Sequence, residues 1–203
     1  MPSARMASIV AYTEVRHQAM TASSRFALAE ARRVADELGA TVYALLALGP
    51  TTPEGLSALA GAVGTAGADR VLCCADSALE GPALDASHGP LLAAVAERLK
   101  PTLVLFPAGE AGPELGRQLA LRMGASHLPG SSLDVVRASE SEPAQVVVRC
   151  GGTDPDGERG VNLRDVERPV VATLKPGTAP ASAALGEPAS EMEMLNYPMP
   201  ARP

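Results

Sequence analysis

The sequence predicts an α/β fold: a doubly wound, mainly parallel sheet covered by helices, with an antiparallel C-terminal extension. Three observations predict it. Apolar runs alternate with helix-spaced patterns four times between residues 7 and 124, the order of a parallel sheet with right-handed crossovers. The runs at 41–48 and 102–106 are apolar without alternation, as in strands covered on both faces. After Gly124 three more apolar runs follow with no long helix between them, which predicts antiparallel pairing.

The elements follow in order. Ala7 to Tyr12 reads as the first strand. Thr21 to Leu38 places Phe26, Ala29, Ala35 and Leu38 at helical spacing, and Gly39 ends the helix as a C′ glycine does. Thr41 to Leu48 is the second strand, and Pro53 opens a helix reaching Ala66. Asp69 to Ala75 is the third strand, and Ser87 to Lys100 a helix closed by Pro101. Thr102 to Phe106 is the fourth strand, in which Val104 and Leu105 should be buried on opposite faces of the sheet. A helix from Pro113 to Met123 ends at Gly124. Ser132 to Arg137, Gln145 to Cys150 and Pro169 to Leu174 read as the later strands, and Cys150 to Gly160 as a Gly- and Asp-rich loop. From Pro176 onward prolines crowd the chain. The expected organisation is an N-terminal arm at 1–6, a domain at 7–178 and a Pro-rich tail at 179–203. Met192 to Met199 is the densest apolar cluster of that tail, and residues 190–200 are expected to lie against a partner chain.

A chain of 203 residues can bury a large core without disulfides or metals. Its net charge of −6 argues against nucleic acid as a partner, because phosphate contacts need a basic surface. Aromatic residues are confined to Tyr12, Phe26, Tyr43, Phe106 and Tyr197, with no Trp, so few rings are available to stack on a flat cofactor. The three cysteines, Cys73, Cys74 and Cys150, lack metal-ligand spacing and predict a reducing, cytoplasmic compartment. Adjacent in a strand, Cys73 and Cys74 should point to opposite faces as small buried hydrophobes. No run reaches the length of a membrane span, and the N-terminus lacks the apolar core of a signal peptide.

Few residues suggest chemistry. The turn Gly109-Glu110-Ala111-Gly112 lies between the carboxyl end of a strand and a helix start, where open α/β sheets bind ligands and helix amides attract anions. Its glycine spacing fits neither a dinucleotide fingerprint nor a P-loop, and Glu110 and Glu114 stand where a phosphate would want positive charge. Pro113 and Glu114 also suit ordinary first-turn capping. His17, His88 and His127 are far apart, with no pairing that would hold a metal. Ser23-Ser24 and Ser131-Ser132 lack the context of a nucleophile. Asp154-Pro155-Asp156-Gly157-Glu158 is too short for a calcium loop and reads as a solvated turn. No catalytic or metal site is expected.

Four segments, in order, resemble one family. They are GADRVLCCADSAL (67–79), KPTLVLFPAG (100–109), GPELGRQLALRMG (112–124) and RPVVATLKPGT (168–178). With the opening ASIVAYTEV and the segment ADELGATVYALL, they are similar to the N-terminal domain of the electron transfer flavoprotein alpha subunit over about residues 7–178. The resemblance implies an adenine-nucleotide-alpha-hydrolase-like (Rossmann-like) fold that pairs with a similar beta subunit. In that family a C-terminal domain with a GGRG signature holds most of the FAD. This sequence stops where that domain would begin, and its Gly151-Gly152-Thr153 is not the signature. Pro113 and Gln118 replace two arginines usual in the family's helix, with Arg117 beside the second; both changes remove positive charge.

The resemblance therefore implies a non-catalytic alpha-like scaffold subunit of an electron-transfer complex. No cofactor is expected in this chain, and FAD or AMP would lie on a partner: a beta-like subunit or a separate flavin-bearing chain. The alternative is an adenine-nucleotide-binding protein of the same fold, its pocket built from Tyr12, Thr13, Gly109 and Gly112. A third reading is a truncated FAD-binding alpha subunit.

Overall fold

In a computed structural model of the chain, residues 7–136, 143–150, 159–177 and 191–198 are described. β1 (Ser8–Thr13) leads through a hairpin of β2 (Val15–Arg16) and β3 (Ala19–Met20) to α1 (Ala22–Leu38). β4 (Thr41–Leu48), α2 (Pro53–Thr65), β5 (Arg70–Ala75), α3 (Asp85–Leu99), β6 (Leu103–Phe106) and α4 (Gly112–Met123) follow. The C-terminal part comprises β7 (Ser126–Val136), β8 (Gln145–Cys150), β9 (Arg159–Asn162), β10 (Val170–Leu174) and β11 (Glu191–Met194).

The helix ends follow from local chemistry. The Thr21 hydroxyl accepts from the Ser24 amide, and the Thr52 hydroxyl from the Gly55 amide just after Pro53. Gly39 and Gly124 close α1 and α4 in the left-handed conformation, at φ 62° and 60°.

One sheet of nine strands runs β11-β5-β4-β1-β6-β10-β7-β8-β9, parallel from β11 to β7. The doubly wound, mainly parallel fold is thus observed. Two apolar layers sandwich the sheet. Ala27, Leu28 and Val34 of α1 and Leu59 and Val63 of α2 pack on one face. Leu91, Leu92 and Val95 of α3 and Leu115 and Leu119 of α4 pack on the other. Leu105 and Cys73 belong to the first layer, Val104 and Cys74 to the second, as strand alternation requires. All three cysteines are free and buried. Among the described residues, no helix is long and apolar enough to cross a membrane.

One expectation about the C-terminal part is corrected. β7 and β8 pair antiparallel, with Leu133 opposite Val148, but β10 does not join them that way. It inserts between β6 and β7, parallel to both, with Val171 level with Val104 and His127. All five β10 residues are buried, so the strand needs cover on both faces. Part of that cover is α4, a helix that precedes β10 by some fifty positions and so leaves no helical signal next to it. The tail supplies an edge strand that the sequence did not announce. Residues 191–194 form β11 on this domain's own β5, with Met192 level with Val71. β5 would otherwise be a sheet edge with unpaired amides. Leu195 and Tyr197 pack on the second apolar layer, and Glu191 and Glu193 pair with Arg70 and Arg98. The loop expected at Cys150 to Gly160 ends early, since β9 begins at Arg159; Asp154 to Glu158 lies outside the described residues.

Candidate functional site

β4 and β5 lie on one side of β1, and β6 lies on the other. The winding reverses between β1 and β6, and their carboxyl ends part to leave a crevice. A cleft of about 570 Å³ opens there, with Tyr12, Glu14 and Arg16 on the β1 side, Glu80 and His88 opposite, and Glu110 at its rim. A second hollow, of about 640 Å³, lies at the other end of the strands, near Thr102 and Pro169. Its walls mix Lys100 and Arg168 with Glu97 and Glu167, and its Arg122 is paired with Asp85.

Tyr12 is buried under the cleft, its ring 5.5 Å from Phe106 and 6.3 Å from His88. Burial, and then the charge of Glu14, push the phenol pKa up, so it stays neutral. His88 is 2% exposed, and its Nδ1 lies 2.8 Å from the Ser87 hydroxyl. Burial pushes its pKa down to about 4, so the ring is neutral near pH 7. Thr13 is buried, does not line the cleft, and donates a long hydrogen bond of 3.5 Å to the Ala11 carbonyl. Of the four predicted pocket residues, only Tyr12 lines the cleft; Gly109 and Gly112 flank Glu110 and Ala111, which line it, and Thr13 does not. His17 and His127 do not approach His88's side of the cleft, and no metal-binding cluster exists among the described residues.

The residue that organises the site is one the sequence reading passed over. Glu14 follows β1 directly and is 9% exposed. Its carboxylate lies over the turn before α4, so close that a Cβ on Gly109 would sit 2.1 Å from its Oε2. Burial raises its pKa most strongly. Arg16 and the amides of Ala111 and Gly112 pull the other way, and Glu110 adds to the rise. Oε1 is buried without a hydrogen-bond partner of good geometry. Arg16 reaches across the rim to Glu110 at 2.9 Å. The signal that would have found Glu14 is an acidic residue immediately after the first strand, at the crevice end.

Comparison with known families bears on this arrangement. The electron transfer flavoprotein domain model matches residues 9–198. The chain belongs to the electron transfer flavoprotein family. No curated protein matches it. The part matched by the electron transfer flavoprotein domain takes in β11 as well as the crevice. An adenine nucleotide or FAD would bring phosphate groups to this domain. Their natural seat in the crevice is the start of α4, where unpaired amides and the helix dipole favour an anion. Glu14 already holds an anionic group there, and Glu110 stands beside it. The residues present do not fit a phosphate at this turn.

Proposed function

We propose that this chain is an alpha-type subunit of the electron transfer flavoprotein family that serves as a scaffold in a cytoplasmic electron-transfer complex. It pairs with a beta-like chain, and the flavin is held elsewhere in the complex. The observation that supports this reading is the carboxylate of Glu14 at the start of α4. A domain that carries its own anion at the crevice is poorly made to receive a second. The scarcity of aromatic side chains points the same way, since an isoalloxazine needs flat partners.

Two measurements test the proposal. The tagged full chain, recovered from its native cell, should bring down a beta-like chain. Titration of the purified chain with FAD, followed by flavin fluorescence, should show no saturable binding in the low micromolar range, which corresponds to ~8 kcal/mol. Tight one-to-one FAD binding would sink the proposal. The position and size of the cleft favour the alternative, an adenine-nucleotide-binding protein. A nucleotide released on denaturing the colourless purified protein would establish that reading instead.

A further inference from the structure

We infer that the start of α4 is an anion-binding site plugged by the chain's own Glu14, and that removing this side chain opens it to phosphate. The inference rests on the reading that this cleft excludes nucleotides. It does not depend on the subunit type or on the partner.

Three features build an anion site at this turn. The amides of Ala111 and Gly112 act on whatever charge sits there, and they are felt by Glu14 as a lowering of its proton affinity. α4 has no side-chain cap of its own: its N-cap residue is Ala111 and makes no such hydrogen bond. α1 and α2 are capped locally by Thr21 and Thr52, whereas α3, like α4, has no side-chain cap. The absence of a Cβ at Gly109 then leaves room for a group against the backbone, and a carboxylate fills it. Arg16 supplies a nearby positive charge.

The occupant is not an ordinary cap. It arrives from the end of β1, across the switch point, and brings a buried Oε1 that no donor satisfies. A residue selected only to cap α4 would place both oxygens on donors, because an unsatisfied buried acceptor is costly. A carboxylate left partly unpaired over a helix start instead occupies the volume and the charge that a phosphate would take. Glu110 does not substitute for it: that carboxylate is exposed and held by Arg16. With Glu14 truncated, the two amides face an open cradle, with Arg16, paired to Glu110, at its rim.

The test uses the full chain with inorganic phosphate and, separately, AMP as probes. Wild type, Glu14→Ala and Glu14→Gln are compared by isothermal titration and by amide chemical shifts of Ala111 and Gly112. Wild type should show no saturable response to either probe. Glu14→Ala should bind phosphate at least about tenfold more tightly than wild type, with shifts centred on those two amides. Glu14→Gln removes the charge but keeps the bulk, and should gain much less. If Glu14→Ala does not fold, Glu14→Ser keeps the cavity with a polar lining and should gain in the same way. Saturable phosphate or AMP binding at these amides by wild type overturns the inference. So does a folded Glu14→Ala or Glu14→Ser that gains nothing. Loss of the beta-like partner in the pull-down would defeat the subunit proposal while leaving this result unaffected.

Discussion

The ring of His88 stands edge-on to that of Tyr12, with centroids 6.3 Å apart and planes at 81°. An edge-to-face contact of this kind suits a neutral imidazole seated in an apolar layer. No carboxylate counters the burial that depresses its pKa.

This arrangement makes stability depend on acid pH. The folded pKa of His88 is about 4 against 6.5 for the free side chain, so the unfolded chain takes up a proton that the folded chain refuses. The contribution is fully present above pH 6.5 and is lost as pH falls towards 4, by about 3 kcal/mol over that window. Glu14 works in the opposite sense: its raised pKa favours the folded state as pH falls. Thermal melts of wild type and His88→Asn between pH 4 and 7 separate the two. The variant should lose the steep acid decline, and an unchanged pH profile would place the acid sensitivity elsewhere.

The two glycines of the α4 turn should not tolerate alanine equally. A Cβ on Gly112 would lie 2.3 Å from the Pro107 carbonyl oxygen, which belongs to the backbone and cannot swing aside. A Cβ on Gly109 would meet the end of the Glu14 side chain, which can rotate. Gly112→Ala is expected to cost about 1–3 kcal/mol, as overpacking of a rigid contact does. Gly109→Ala should cost less. Urea unfolding of both variants checks the order; the reverse order would mean that Glu14 is held more rigidly than the backbone at Pro107.

The tail should contribute to the stability of the domain itself. Leu195 donates its amide to the Cys73 carbonyl at 2.6 Å, and Tyr197 packs on the layer beneath α3. Removing residues 191–203 uncovers the edge of β5 and apolar area from two large side chains. A loss of about 2–4 kcal/mol is expected from that burial. Calorimetry would read it as a lower Tm. An unchanged Tm would show that β11 is dispensable to the fold and free for another role.

Much of the architecture could be read from residues close together in the chain. The four helices and the strands between them follow from apolar spacing, from hydroxyl caps at Thr21 and Thr52, and from Gly39 and Gly124 after α1 and α4. Unbroken apolar runs at β4 and β6 announced strands covered on both faces. The turn at Gly109–Gly112 followed from the strand–helix order, whereas Tyr12 entered the pocket reading with the family resemblance. Each of these signals acts over a few residues, so it survives without knowledge of the rest of the molecule. Three features do not work that way. β10 is parallel and central because α4, far back in the chain, covers it. β11 exists because β5 would otherwise be an open edge, and EMEM has no strand signal strong enough to announce a partner. Glu14 differs from any exposed acid only because the Gly109–Gly112 turn is folded onto it from nearly a hundred residues away. Pairing partners and desolvation are properties of the assembled chain, so tertiary structure alone decided the sheet order, the fate of the tail and the chemistry of the cleft.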